Sequence, residues 1–162
     1  MKKLPIIILT LICSACSTTH LEAPTPAAKT ESSSSDAMND LAIYAVSLAD
    51  TPYRYGGTSP ESGFDCSGFV RYVFRQSLEW QLPRTSLEMS RVGEPLQEDQ
   101  LRPGDLVFFN TQQQSFSHVG IYVGEDRFVH APKSGKAIAL VNMRENYWRS
   151  RYDGARRIST RR

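Results

Sequence analysis

The stretch Gly63-Phe64-Asp65-Cys66-Ser67-Gly68-Phe69-Val70 joins two kinds of chain. Before it runs a turn-rich segment, YRYGGTSPESG. After it, apolar residues fall at helical spacing, with Phe69, Val70, Val73 and Phe74 on one face of a helix expected over residues 66–78. Asp65 then stands where a helix N-cap would, and Cys66 sits in the first turn. A buried structural cysteine needs no such address. A nucleophile does, because the unpaired N–H groups of a helix start point at the sulfur and favour the thiolate.

The pattern on either side sets the fold class. Upstream, Asp36 is placed to cap a first helix in which Leu41, Tyr44, Ala45 and Leu48 share a face, and Pro52 ends it. Downstream, Thr85 and Glu88 form a capping-box pattern for a third helix that ends near Gly93. The period then changes to strands, expected over residues 105–110 (DLVFFN), 118–124 (HVGIYVG, with Val119, Ile121 and Val123 on one face), 127–131, 137–143 and 155–158. Helices first and antiparallel strands after give an α+β class, with the N-terminal helices packed on one side of a mostly antiparallel sheet.

A chain of 162 residues suits one domain plus extras. A net charge of +2 is too mild to argue for nucleic acid. The surplus lies in Arg149, Arg151, Arg156, Arg157, Arg161 and Arg162, which read as a solvated basic tail. Residues 1–15 read as a secretory signal: Lys2 and Lys3, a short apolar run, then Ser14-Ala15. Cys13-Ser14-Ala15-Cys16 resembles a bacterial lipobox, with Cys13 where leucine is usual. That resemblance implies a lipidated Cys16 as mature N-terminus and a membrane held through the lipid. Ser17 after it, by resemblance to bacterial sorting rules, implies the outer membrane, facing the periplasm. Residues 16–36 are rich in Ser, Thr, Pro and Ala and read as a flexible tether, with His20 idle in it. Residues 37–162 are the folded domain, expected to be a monomer.

With Cys13 removed and Cys16 acylated, Cys66 has no partner for a disulfide. The domain's histidines are His118 and His130. A free thiol is only a few per cent thiolate near neutrality, so a nucleophilic Cys66 needs a base, and a base histidine needs a partner to fix its tautomer. His118 and His130 lie on consecutive strands. To project from one face they need an odd number of loop residues, for example Gly124-Glu125-Asp126, which makes them diagonal neighbours. A zinc site from the same trio lacks a fourth ligand in a recognisable spacing. No metal or cofactor is expected.

Six blocks, PYRYGG, FDCSGFV, LPRTS, LRPGDLVFF, HVGIYVG and FVHAP, occur in order across nearly the whole domain. In them the chain resembles the NlpC-type cell-wall cysteine peptidases, papain-like in site architecture, and is most similar to lipoprotein murein endopeptidases of Gram-negative bacteria. The resemblance implies Cys66 as nucleophile, His118 as general base and His130 as the group orienting it. It implies Tyr53 facing the nucleophile near oxyanion or substrate, and Asp65 and Ser67 near substrate, Asp65 engaging an amino group in some relatives. Tyr53 reads equally as an aromatic plug, and Asp65 as a helix cap. Arg84 reads either as a carboxylate holder or as half of a surface ion pair. The implied reaction is amide hydrolysis in peptidoglycan stem peptides through a thioester, at the D-alanyl–diaminopimelate crosslink. The alternatives are the D-glutamyl–diaminopimelate bond within a stem, or a non-catalytic wall-binding lipoprotein.

Overall fold

The structure, a computed structural model, describes residues 26–159. The expected signal sequence, the expected lipobox with Cys16, and the expected tether as far as residue 25 lie outside the described residues. Helix α1 (Pro26–Ser47) starts ten residues before the Asp36 expected to cap it. Residues 26–36 are thus helical, and the boundary expected at residue 37 falls inside a helix. Proline suits the first position of a helix, where its missing N–H has no partner to lose. Of the expected stripe of α1, Leu41 and Ala45 are buried and Tyr44 and Leu48 pack beside them; Ala42 is buried as well.

After α1 the chain turns at Asp50 and runs extended between two neighbours. Tyr53 N–H donates to the Lys136 carbonyl (2.8 Å), and Arg54 N–H donates to the Phe64 carbonyl (2.9 Å). The turn-rich segment then closes as a small hairpin, β1 (Thr58–Ser59) with β2 (Gly63–Phe64). Helix α2 (Cys66–Leu78) begins where the sequence places it and buries Phe69, Val70, Val73 and Phe74. A single turn, α3 (Ser86–Met89), carries the expected Thr85/Glu88 capping box.

The sheet has six strands: β3 (Glu94–Leu96), β4 (Leu106–Phe109), β5 (His118–Gly124), β6 (Arg127–His130), β7 (Ala139–Asn142) and β8 (Tyr152–Arg157). Their spatial order is β3-β8-β4-β5-β6-β7, and every pairing is antiparallel. Both faces are covered. Leu106, Phe108, Val119, Ile121 and Val129 meet the helices α1 and α2. Val107, Phe109, Tyr122, Phe128 and Ala155 form a second cluster on the opposite face, closed by Trp148 of the one-turn helix α4 (Asn146–Arg149). The side expected to be free of helices therefore carries this short one.

The β5–β6 connection solves the parity problem by another route than a three-residue loop. Gly124 pairs with Arg127, which leaves a two-residue turn of Glu125 and Asp126, both at positive φ. A bulge between Tyr122 and Gly124 supplies the odd residue. Below it Ile121 pairs with Val129, and that register puts His118 and His130 on one face as diagonal neighbours. The C-terminal arginines are not all a solvated tail either. Arg157 forms a two-pronged pair with the buried Asp105, and Arg156 Nε donates to the Ser90 carbonyl (2.6 Å). Both side chains staple β8 to its surroundings.

Two close approaches set the site. Gly120 lets the Phe128 ring pack closely on β5, and Gly68 lets the first turn of α2 press on the Gly57 backbone. A Cβ at position 68 would fall on the Gly57 carbonyl oxygen and crowd Asp65 Oδ1. Gly68→Ala is therefore expected to destabilise the fold by about 1–3 kcal/mol, the usual cost of overpacking. Urea unfolding measures it, and an unchanged midpoint would contradict so tight a contact.

Candidate active site

The first turn of α2 is held by its cap. Asp65 has extended φ and ψ of −86° and 174°, and its Oδ1 accepts the Gly68 N–H at 2.6 Å. Cys66 follows directly, a free and partly buried thiol packed against the helix-side core. The backbone N–H groups of Val119, Ser67 and Cys66 face the sulfur and favour its anion. Burial opposes them, with the Asp65 charge beside it, and the net effect pushes the thiol above its ordinary range. The Val119 contact places the sulfur at the head of β5, next to His118.

The Asp65 carboxylate is fully engaged. Its Oδ1 also accepts from Ser67 Oγ (3.2 Å) and Arg84 Nη1 (3.2 Å), and its Oδ2 from Arg84 Nη2 (2.5 Å) and Gly56 N–H (3.1 Å). Ser67 Oγ accepts a second bond from Arg84 Nη1 at 2.8 Å. Asp65 has the capping geometry, and Arg84 is the partner of this internal carboxylate. Five donors fill the positions a carboxylate offers, so Asp65 and Ser67 face each other and Arg84. Tyr53 lies close by. Burial raises its phenol first, and the charges of Cys66 and Asp65 add to that.

The imidazole pair is built at the same end of the sheet. His118 opens β5 and His130 ends β6, with relative exposures of 4% and 2%. His118 Nε2 lies 2.8 Å from His130 Nδ1. Burial pushes His118 down to about 4, and burial with the neighbouring ring pushes His130 down further. Both shifts favour the neutral rings near pH 7, with a single hydrogen bond joining Nε2 to Nδ1. With Nε2 so engaged, Nδ1 is the nitrogen of His118 left for chemistry. Trp148 covers the pair: its indole stacks on His118 (centroids 5.9 Å apart, 25°) and meets His130 nearly at right angles (4.8 Å, 84°).

The fold thus collects Cys66, His118, His130, Tyr53, Asp65 and Ser67 at one end of the sheet. Trp148 was missing from the sequence-based set. Its only signal was a large aromatic in NYWR, a stretch with no strand or helix period. Arg84 carried a signal in LPRTS, but a residue 19 positions from Asp65 in sequence gives no hint of its partner.

What the arrangement offers is a thiol at a helix N-terminus with a neutral imidazole pair at the adjoining strand end. Comparisons with known proteins identify the family. The chain is 40% identical over 136 residues to murein DD-endopeptidase MepH of Escherichia coli, covering 82% of this chain and 49% of that one. It is 35% identical over 179 residues to the E. coli protein named murein DD-endopeptidase MepS/murein LD-carboxypeptidase, covering 99% and 94%. Thus the chain spans about half the length of the first of these relatives and nearly all of the second. Among solved structures, an NlpC/P60 family protein from Bacillus cereus superposes with a TM-score of 0.69 at 33% identity, over 74% of this chain and 39% of that one. The NlpC/P60 family model matches residues 50–157, a span that holds the hairpin, α2, the whole sheet and every residue of the site, and the chain belongs to that family.

Proposed function

We propose that this protein is a cysteine peptidase that hydrolyses amide bonds in the stem peptides of peptidoglycan, at the D-alanyl–diaminopimelate crosslink. The observation that carries the reading is Cys66 at the capped start of α2, beside a buried His118–His130 hydrogen bond of 2.8 Å. The names of MepH and MepS, both murein DD-endopeptidases, support the substrate and the D–D bond.

The chemistry follows from the neutral resting state. Reading the helix start alone suggests a preformed thiolate–imidazolium pair. The burial of both partners favours the thiol and the neutral imidazole instead. His118 Nδ1 takes the thiol proton as sulfur adds to the carbonyl carbon, while Nε2–H stays donated to His130 Nδ1. His130 accordingly acts as an acceptor that holds the tautomer and steadies the imidazolium. The oxyanion is met by the Cys66 N–H and by the Tyr53 phenol. His118 then gives its proton to the leaving amine, and water cleaves the thioester through the same base. Asp65, Ser67 and Arg84 keep the first turn of α2 in place.

Cys66→Ala is expected to abolish conversion of crosslinked dimers to monomers with the fold intact, as read by mass analysis of digested murein. Shortened stems in the wild-type digest would instead identify the bond within a stem. Intact murein under wild type would leave a wall-binding role.

The pH dependence separates the neutral site from the ion pair. Activity requires neutral His118 and an unionised thiol to deliver its proton. kcat/KM should fall on the acid side only well below 6.5, near the depressed imidazole value, and on the basic side above the ordinary thiol range of about 8.5. Asp65→Asn should bring the basic limb down, because it removes a negative charge beside the sulfur. An acid limb at or above 6.5 would contradict the neutral resting pair. The same shift bears on stability. Folded-state imidazole values lie below the unfolded one, so the unfolded chain binds more protons as pH falls. Stability is full above about 6.5 and is expected to drain away between there and about 4, read as a falling Tm.

We further propose that Cys16 carries lipid and holds the protein on the outer membrane, on the strength of the lipobox pattern. Cys16→Ser should then release active protein into the soluble periplasmic fraction. Retention of that variant in the outer membrane would rule out anchoring through Cys16.

A further inference from the structure

Helix α4 is a single turn, yet it is pinned on both sides. Arg144 just before it pairs with Asp126 (3.0 Å) and Glu98 (3.3 Å). Arg151 just after it offers its carbonyl to Asn110 N–H at 2.8 Å, tying the turn to the end of β4. What these ties hold in place is Trp148, whose relative exposure is 8%. Its ring meets Phe109 (5.0 Å) and Phe128 (5.0 Å) edge-on, but it turns its face to His118. Tyr147 covers the outer side at 4.9 Å, with the Arg151 guanidinium 4.1 Å over that ring. A filler for the second core would need the edge contacts to the phenylalanines. It would not need to lie parallel to one imidazole and perpendicular to the other.

The surroundings make this coverage consequential. Among the described residues no carboxylate is hydrogen-bonded or ion-paired to either imidazole. The titratable groups on the elements around the pair are Cys66 of α2, which meets the Val119 backbone next to His118, Tyr147 of α4 against Trp148, and Tyr152 of β8 against Phe109. The orientation of His118 is therefore set by one hydrogen bond, to His130, and by the aromatic faces around it. A water molecule in place of the indole would compete for the ring nitrogens and loosen that bond.

We propose that Trp148 is a positioning residue of this site: its indole closes the His118–His130 hydrogen bond off from water and fixes the plane of the His118 ring, so that Nδ1 stays aimed at the sulfur. The proposal rests on the catalytic reading of Cys66 and His118. It predicts an effect on the proton-transfer step and not on substrate binding, since Trp148 packs in the cluster on the opposite face of the sheet from the one that Cys66 adjoins.

The test compares Trp148→Ala, Trp148→Leu and Trp148→Phe with wild type in the full-length domain. Imidazole titration is followed by NMR, Cys66 alkylation by iodoacetamide is followed against pH, and kcat and KM are measured on crosslinked muropeptides. With the indole gone, water reaches the pair, and the imidazole titration of Trp148→Ala should move up toward 6.5 by a pH unit or more. The acid limb of alkylation should move with it. kcat should fall ten- to a hundredfold with KM within about twofold, and Trp148→Phe, which keeps a ring over His118, should recover most of both. Trp148→Leu keeps apolar bulk and carries the same test if the alanine variant does not fold. A lower Tm with unmoved imidazole titration and unmoved kcat would overturn the proposal and leave Trp148 a core residue. Wild-type protein inactive on muropeptides would sink the peptidase reading alone, because titration and alkylation need no substrate.

Discussion

The carboxylate of Asp65 is the constraint on which the site depends. Three separated pieces of chain converge on it: the loop at Gly56, the first turn of α2, and Arg84 ahead of α3. The Arg84 side chain is 40% exposed, so its Coulomb attraction is screened and contributes modestly. The larger share comes from the enclosed bonds to the Gly68 N–H and to Ser67. A cap of this type stabilises by roughly 0.5–2 kcal/mol, and a buried donor left without its acceptor costs a similar amount. Without Asp65 the first turn of α2 would lose its anchor. The Cys66 and Ser67 amides that face the sulfur from that turn would then lose their aim.

The geometry of the sheet decides where the rest can go. Strand β5 buries both faces, Val119 and Ile121 toward the helices, and His118 and Tyr122 away from them. The thiol belongs to the helix-side core and the imidazole pair adjoins the opposite one. They come together only at the strand head, where a sheet has no further residues to separate its faces. This placement is why His118 must be the first residue of its strand, and why the bulge after Tyr122 matters. A register slip of one residue would turn His130 to the helix side and break the pair.

Much of this was legible in the sequence, because it is local. The start of α2 at Cys66, the capping box at Thr85, the strand at residues 118–124 and the class of fold all follow from period and cap chemistry. The odd residue between the histidines was demanded by parity, though a bulge and not a longer loop provides it. What was not legible is non-local. Arg156 and Arg157 read as a solvated tail because nothing near them in sequence announces Asp105 or the Ser90 carbonyl. Trp148 sits in a four-residue turn, too short for any periodic signal. The helix before residue 36 was obscured by a run of four serines, whose weak propensity outweighed the proline and alanines ahead of it.

Under the proposed peptidase mechanism, a neutral resting state gives these pieces a common logic. A thiolate is the form that attacks substrates, and it is also the form that is oxidised. Among the described residues Cys66 has no disulfide partner, and burial together with the Asp65 charge favours its protonated form. A permanent thiolate–imidazolium pair would put a reactive sulfur on display between turnovers. A neutral pair reveals it only when a carbonyl carbon is in place to accept the electrons and His118 can take the proton in the same event. That arrangement raises the demands on geometry, because no charge pre-pays the proton transfer. The base must already point its one free nitrogen at the sulfur, its other nitrogen must stay bonded to His130, and water must be kept out of both. A capped helix start on one side of the sheet and an aromatic-covered imidazole pair on the other meet those demands, and neither does so without the strand end that brings them together.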